Sequence, residues 1–171
     1  MWIENPPPFP KVQIWRRGCA LLVDMLPLWL ISSLFGENFF IDLLIWLGLR
    51  VLVVLKTQGQ SLGRWAFDMK VVEERSGRVP EATTLAKREI LIGVGLILAL
   101  NGIAKIDPFN AQYLMLLLPL AADCGIAYFD PVRQQAFHDR VAGTFIVNSR
   151  RGYSLDLKIK KWVAQLRRFM K

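Results

Sequence analysis

Cysteine and histidine are scarce in this sequence. Its 171 residues include two cysteines, Cys19 and Cys124, and one histidine, His138. One imidazole and two distant thiols cannot build a zinc site without several carboxylates, so no metal site is predicted. A structural disulfide is not expected either, because both thiols lie in apolar runs near their predicted cytoplasmic ends, where the compartment is reducing.

Motifs for catalysis are also missing. Residues 59–63 contain two glycines, but the lysine and the preceding strand of a phosphate-binding loop are absent. Nothing in the pattern supports Ser61 and His138 as a nucleophile and its base. We therefore expect a protein that is not an enzyme and that uses no cofactor.

Charge is nearly absent from four long stretches, each 17 to 19 residues in length, at residues 18–35, 39–55, 90–106 and 111–129. A helix needs roughly 20 residues to cross the hydrocarbon of a bilayer. Hydrophobicity on all sides differs from the one-sided pattern of a soluble helix. The sequence therefore predicts an all-α membrane protein, a four-transmembrane-helix bundle, in preference to a soluble bundle.

Basic residues outnumber acidic residues by 22 to 14, and their placement indicates the topology. Three Lys or Arg precede the first run, none separates it from the second, seven lie between Lys56 and Arg88, and ten follow from Arg133 onward. By the positive-inside rule both termini and the long connector are cytoplasmic (N-in/C-in), and two short hairpins lie outside. This distribution does not form the basic stripe of a nucleic-acid-binding protein.

The chain divides into three parts. Residues 1–15 are a proline-rich cytoplasmic tail. Residues 16–149 are the membrane domain. Residues 150–171 have the apolar face and basic flanks of an amphipathic helix that lies on anionic lipid, with a partner-helix target as the alternative. Within the membrane domain we predict spans at about 17–36, 39–56, 89–106 and 110–129, with a cytoplasmic connector at 57–88.

A small cytoplasmic β element is predicted beside the spans. Residues 67–71 alternate between apolar and charged side chains, which is typical of a strand. One short strand is not stable alone. Residues 143–148, another short β-prone run, are the expected partner.

Ionisable residues inside the apolar runs are the candidates for function, because a charge in hydrocarbon costs a few kcal/mol and is by default partnered or functional. At 1.5 Å per residue, Asp24, Arg50 and Asp123 all lie about 9–10 Å from the predicted inner boundary. Arg17 or Arg140 can reach this layer from below. The depths do not say whether the three side chains face one another.

Four short pieces, in this order along the chain, resemble the RDD family of bacterial membrane proteins, named for one arginine and two aspartates. They are Arg17 with Asp24 seven residues on, Gln60-Ser-Leu-Gly-Arg64 leading to Lys70-Val-Val72, Arg88-Glu89, and His138-Asp139-Arg140 followed by Ala142-Gly-Thr144. The resemblance implies that the family's arginine is Arg17 and its aspartates are Asp24 and Asp139. It also implies a multi-pass protein of the bacterial inner (plasma) membrane. Family members are suspected of transport, in some cases of cations exchanged for protons.

Two functions stay open. The first is a secondary transporter that exchanges monovalent cations for protons through Asp24, beside which Pro27 leaves the carbonyl of Val23 without its helical donor. Such a protein would work as a homo-oligomer, because four short helices hardly enclose a pathway. The second is a non-transporting scaffold or accessory protein that acts through its basic cytoplasmic face, with anionic lipid or a protein as partner.

The two functions differ in the expected surroundings of Asp24, Arg17 and Asp139. A scaffold gives Asp24 a permanent cationic partner, whereas a transporter leaves a carboxylate oxygen facing a polar cavity. Arg17 and Asp139 either belong to the transport site or form a lock that holds the segment after the last span to the foot of the first helix. An ion-binding or charge network is predicted from Asp24, Arg50, Asp123, Arg140 and His138.

Overall fold

The structure, a computed structural model, describes residues 12–36, 38–130 and 132–149 and positions 154, 155, 157–159, 162 and 165. These residues are mostly helical and include one two-stranded sheet, as predicted. The α-helices are α1 Ile14–Phe35, α2 Phe39–Leu47, α3 Val53–Lys56, α4 Leu62–Ala66, α5 Ala82–Lys105, α6 Leu118–Phe129 and α7 Phe137–Ala142. The strands are β1 Met69–Glu73 and β2 Thr144–Asn148.

Residues 39–56 form one helical rod in which a π-helical turn, Gly48–Leu52, joins α2 to α3. The rod begins at Asn38, whose side-chain oxygen accepts from the N–H groups of Phe40 and Ile41. Such a cap satisfies donors that have no partner inside the helix. The π-helical turn contains Arg50, which is buried. Single π turns within α-helices are frequent at functional sites.

The fourth apolar run is only partly α-helical. Ala111–Leu117 form a 3₁₀ helix, and α6 starts at Leu118. The reason is Pro119 near the start of α6, since proline has no N–H to donate to the carbonyl four residues earlier. That carbonyl, of Met115, instead accepts from the N–H of Leu118 in 3₁₀ fashion. The predicted span at about 110–129 thus consists of a 3₁₀ segment followed by an α-helix.

The predicted pairing of two short strands is confirmed. β1 and β2 are antiparallel, with Met69 opposite Asn148 and Glu73 opposite Thr144. The first strand starts two residues later than predicted, because Asp68 has a φ of 55° and ends the turn that follows α4.

Helix α5 is the centre of the molecule. It packs against α2, the 3₁₀ segment, α6 and α7. Its glycines allow close approach: a Cβ at Gly93 would come within 2.6 Å of the Trp46 ring. Trp46 itself is buried with Leu28, Ile92 and Leu96 in one apolar cluster.

The outward-facing side chains of the helices are apolar, whereas charged side chains are buried in the interior. Helix α1 exposes Leu22, Leu26, Leu30 and Leu34, which recur every four residues along one face. Its buried residues include Asp24. This arrangement reverses that of a soluble protein and is expected where the solvent is lipid.

Two helices are long and apolar enough to cross a membrane. They are Ile14–Phe35 and Ala111–Phe129, with mean hydropathies of 1.8 and 1.4 over their best windows. The other two predicted spans carry more charge, namely Asp42, Arg50 and Lys56 in one and Arg88, Glu89 and Lys105 in or beside the other. Length and composition thus identify two of the four predicted spans.

The predicted terminal segments lie largely outside the described residues. The proline-rich tail at 1–15 is described only from residue 12, and of the tail helix at 150–171 only single positions are described. The carbonyl of Ser154 accepts from the N–H groups of Leu157 and Lys158, so a helical turn begins there. The side chains of Ile159 and Trp162 are exposed.

Candidate functional site

Asp24 is buried between α1, the π-helical turn and α4. Its Oδ2 accepts from Nη1 of Arg50 and, at 2.7 Å, from the hydroxyl of Ser61. Its Oδ1 accepts from the backbone N–H of Gly63 at 2.8 Å. Arg50 also donates to the Ser61 hydroxyl at 2.9 Å. Both carboxylate oxygens of Asp24 therefore have donors.

The approach of α4 to α1 depends on Gly63. A Cβ at this position would lie 1.9 Å from the carbonyl oxygen of Ala20 on α1, which no real contact allows. Ser61 starts α4, and its hydroxyl accepts from the N–H of Arg64 at 3.3 Å. The short helix thus places a hydroxyl and an N–H against the same carboxylate.

Glu89, directly before the third apolar run, accepts from three arginines. Its Oε2 accepts from Nε of Arg50 at 2.9 Å. Its Oε1 accepts from Nη2 of Arg64 at 2.9 Å and from Nη1 of Arg88 at 2.7 Å. The guanidinium of Arg50 also lies 4.9 Å from the centre of the Trp46 ring, a cation–π contact.

Asp139 is the second carboxylate that accepts hydrogen bonds from more than one arginine. Nε of Arg88 donates to its Oδ1 at 2.8 Å, and Nη2 of Arg17 donates to its Oδ2. Arg17 also donates to the carbonyl of Gln134. Burial alone would raise the pKa of Asp139, but Arg88, His138 and Arg17 together hold that pKa well below its ordinary value.

Asp123 is paired with the histidine. Its Oδ2 lies 2.6 Å from Nδ1 of His138, and its Oδ1 accepts from the backbone N–H of the same residue at 2.8 Å. Nε2 of His138 lies 3.3 Å from Nη2 of Arg88. The histidine therefore joins α6 to the arginines around Asp139.

These contacts form one continuous cluster, called here the charge network. Its members are Arg17, Asp24, Arg50, Arg64, Arg88, Glu89, Asp123, His138 and Asp139. The four arginines balance the four carboxylates if the histidine is neutral. The network joins α1, the π-helical turn, α4, α5, α6 and α7.

The structure places the sequence-predicted residues in different parts of this cluster. It brings Asp24 to Arg50, and Arg17 to Asp139. Asp123 contacts His138 rather than Asp24 or Arg50. Arg140 lies apart: its guanidinium donates to Asp130 at 2.6 Å and its side chain is 46% exposed. Adjacent residues of a short helix face different directions, so α7 turns Arg140 away from the network.

Four residues of the site are not among the functional residues that the sequence predicts. Ser61, Arg64, Arg88 and Glu89 lie in pieces that carried the family resemblance, but they were assigned to the connector or to the membrane boundary. Glu89 offered a signal, because it is an acid directly before the apolar residues that begin at Ile90. No group of three or more His, Cys, Asp or Glu in the described part of the chain could hold a metal ion.

A cavity of about 110 Å³ borders the charge network. It is partly open, and α1 and α6 form two of its walls. Its described lining includes four arginines, one aspartate and one histidine: Arg17, Arg50, Arg64, Arg88, Asp24 and His138. The charged residues of the lining are therefore mostly cationic.

A sequence profile of the RDD family matches residues 38–143, more than half of the chain. The chain belongs to the RDD family. RDD family proteins are membrane proteins, which agrees with the exposed leucines of α1. The matched range contains every member of the charge network except Arg17 and Asp24, so their identity as the RDD arginine and first aspartate stays a prediction. No curated protein and no solved structure matches the chain.

Proposed function

We propose that this RDD protein is a four-span membrane scaffold with both termini in the cytoplasm, and that it acts through its basic cytoplasmic face. The observation that supports this most directly is the saturation of Asp24. Its two carboxylate oxygens accept from Arg50, Ser61 and Gly63. This is the permanent cationic partner expected of a scaffold.

The two-stranded sheet supports the four-span topology. β1 and β2 are hydrogen-bonded to each other, so they lie on the same side of the membrane. The chain between them must therefore cross the membrane an even number of times. That stretch contains Ala111–Phe129, a candidate span, so α5 is its natural companion.

Contacts of Arg16 extend the same reasoning to the first hairpin. Its guanidinium donates to the carbonyl of Phe67 at 2.5 Å and to the side chain of Asn148 at 3.1 Å. The start of α1 thus lies on the same side as the sheet. Because α1 is a candidate span, the rod at 39–56 must return the chain across the bilayer. The basic residues concentrated on that side indicate the cytoplasm.

The charge network acts in this proposal as a lock. It fastens the connector and the segment after α6 to the inner ends of the helices. Removing one member of a buried ion pair costs about 3–5 kcal/mol, because the other member stays buried without compensation. A scaffold benefits from such a lock, because it presents its cytoplasmic surface in a fixed arrangement.

Exchange of monovalent cations for protons through Asp24 is the alternative, and the surroundings of Asp24 disfavour it. A cation would have to displace three donors and enter a cavity that four arginines line. Repulsion between like charges is strong at low dielectric. Among the described residues that line the cavity, no other carboxylate is available to the cation.

A flux measurement separates the two functions. The purified chain is reconstituted in liposomes that enclose a pH-sensitive dye, and gradients of Na⁺, K⁺ and Li⁺ are applied in turn. We expect no proton movement above that of empty liposomes, while an added potassium–proton ionophore shows that the vesicles are sealed. Cation-coupled proton movement that Asp24→Asn abolishes would refute the scaffold proposal.

A deletion tests the scaffold directly in cells that lack the protein and show a phenotype. We expect the chain without residues 150–171 to leave that phenotype uncorrected, whereas the substitution Glu74→Gln at an exposed ion pair outside the charge network corrects it. Immunoblots of the membrane fraction control for the amount of each variant. Full correction by the truncated chain would exclude the tail as the functional surface.

A further inference from the structure

We propose that the cavity beside the charge network binds a phosphate group, either on the headgroup of a phospholipid or as the free ion. The site depends on the cavity alone and does not require the scaffold function. Its walls come from α1, the π-helical turn, α4, α5 and α6, so it lies where the inner ends of the helices meet.

The charge of the lining indicates an anion. Arg17, Arg50, Arg64 and Arg88 line the cavity, and Asp24 is the only carboxylate among the lining residues that the structure describes. Glu89 and Asp139, which neutralise these arginines in part, are not lining residues. Arginines thus outnumber acids among the described lining residues, and both oxygens of Asp24 already have donors.

Arg64 supplies the second observation. Its side chain is 2% exposed, and its Nη1 has no hydrogen-bond partner among the described residues. Burial and then the charges of Arg50 and Arg88 lower the pKa of Arg64 to about 9. A buried donor without an acceptor is costly, and an anion that reached this N–H group would remove that cost. Guanidinium groups match phosphate oxygens because two N–H groups can donate in parallel.

The size and the walls of the cavity fit this ligand. One ordered water needs about 10–15 Å³ of such space, so the 110 Å³ present accommodate a tetrahedral oxyanion with some water. Ile14, Leu21 and Ala127 add apolar surface to the lining. The cavity is partly open, and α1, which forms one of its walls, has an apolar outer face that suits a lipid as the source of the headgroup.

The test uses the purified full-length protein and two probes. In the first arm, inorganic phosphate is added to the delipidated protein in neutral detergent, and the thermal unfolding midpoint is compared with that in chloride of equal ionic strength. In the second arm, the protein is placed in nanodiscs of phosphatidylcholine with or without phosphatidylglycerol, extracted in mild detergent, and analysed for retained lipid by native mass spectrometry.

Two glycines provide a matched pair of variants. Gly18 lines the cavity and Gly125 does not, and a Cβ at either position meets no atom within 4 Å. Gly18→Leu therefore adds bulk at the cavity wall without removing a charge, and Gly125→Leu adds the same side chain elsewhere on a helix. We expect Gly18→Leu to weaken binding of the effective probe by about tenfold or more, a loss of roughly 1.4 kcal/mol, and Gly125→Leu to leave it unchanged.

Each result supports or overturns phosphate binding in this cavity. Retention of phosphatidylglycerol that Gly18→Leu abolishes supports a lipid headgroup, and a phosphate-specific rise in the unfolding midpoint that the same variant abolishes supports the free ion. If the wild-type protein neither retains lipid nor responds to phosphate, the proposal is wrong. Equal effects of the two leucine variants would also overturn it, because binding would then not occur in this cavity.

Discussion

At the scale of single residues, Glu89 is the one carboxylate that pairs with three arginines in the described part of the interior. Arg50, Arg64 and Arg88 all donate to it. Glu89→Gln keeps the shape of the side chain but leaves these three guanidinium groups with less compensation. We expect a loss of about 3–5 kcal/mol in the free energy of unfolding, measured by denaturant titration in detergent micelles.

Glu74→Gln is the matched control for this variant. Glu74 accepts from Arg133 at 3.3 Å, and both side chains are more than a third exposed, at 38% and 35%. Water screens such a pair, so its loss should cost less than about 1 kcal/mol. Similar losses for the two variants would contradict a special role for Glu89.

Asp139 provides a prediction about pH. Because its pKa in the folded protein is held well below the ordinary value, it stays ionised in the folded state at pH values where an unfolded aspartate, with a pKa of about 3.9, takes up a proton. Its stabilising effect is thus fully present above that value and is lost only as pH falls through the lower pKa of the folded state. We expect the carboxyl ¹³C resonance of Asp139 to keep its ionised position from pH 7 down to about pH 4.

At the scale of secondary-structure elements, the contact between α4 and α1 is the most sensitive to added volume. Gly63→Ala would place a methyl group 1.9 Å from the Ala20 carbonyl oxygen, so the helices must separate and the hydrogen bond from Gly63 to Asp24 must break. We expect a loss of about 1–3 kcal/mol or more, seen as a lower unfolding midpoint and faster hydrogen exchange in α4.

The control at this scale is Gly125→Ala in α6. A Cβ there meets no atom within 4 Å. Alanine favours a helix over glycine by up to about 1 kcal/mol, so this variant should be neutral or more stable. If Gly63→Ala behaved in the same way, the close approach of α4 to α1 would be refuted.

The helices show which parts of the fold the sequence could predict. Apolar length marks the runs, and period-two alternation marks the strands, because both are local properties. The depth of Asp24 or Arg50 is also local, since it follows from the rise per residue. The start of α6 could be predicted from Pro119, because a missing N–H interrupts α-helical hydrogen bonding in any context.

The partners within the charge network could not be predicted in this way. The direction in which a side chain faces depends on how six elements pack, and no property of one helix determines it. Asp123 shares its estimated depth with Asp24 but contacts His138 on α7. Arg88 and Glu89 have flexible side chains whose reach exceeds one helical turn, so a position at the membrane boundary left their contacts open.

At the scale of the whole molecule, charged side chains are buried and large apolar side chains are exposed, the reverse of a soluble protein. Members of the charge network such as Glu89 and Asp139 are fully buried, while Trp29, Leu34 and Phe129 are more than 60% exposed. Lipid around the helices explains the exposed side, and mutual neutralisation explains the buried side. The two features together require that the network lie inside the bundle.

The topology itself gives the last prediction. Because β1 pairs with β2, the turn between α5 and the 3₁₀ segment lies across the membrane from the sheet if the intervening helices are spans. Phe109 in that turn is 93% exposed, and Arg75 in the turn after β1 is also exposed. In a chain whose two cysteines are replaced by alanine, Phe109→Cys should react with a membrane-impermeant maleimide in intact cells. Arg75→Cys should react only after lysis, and reaction of both variants in intact cells would contradict the four-span topology.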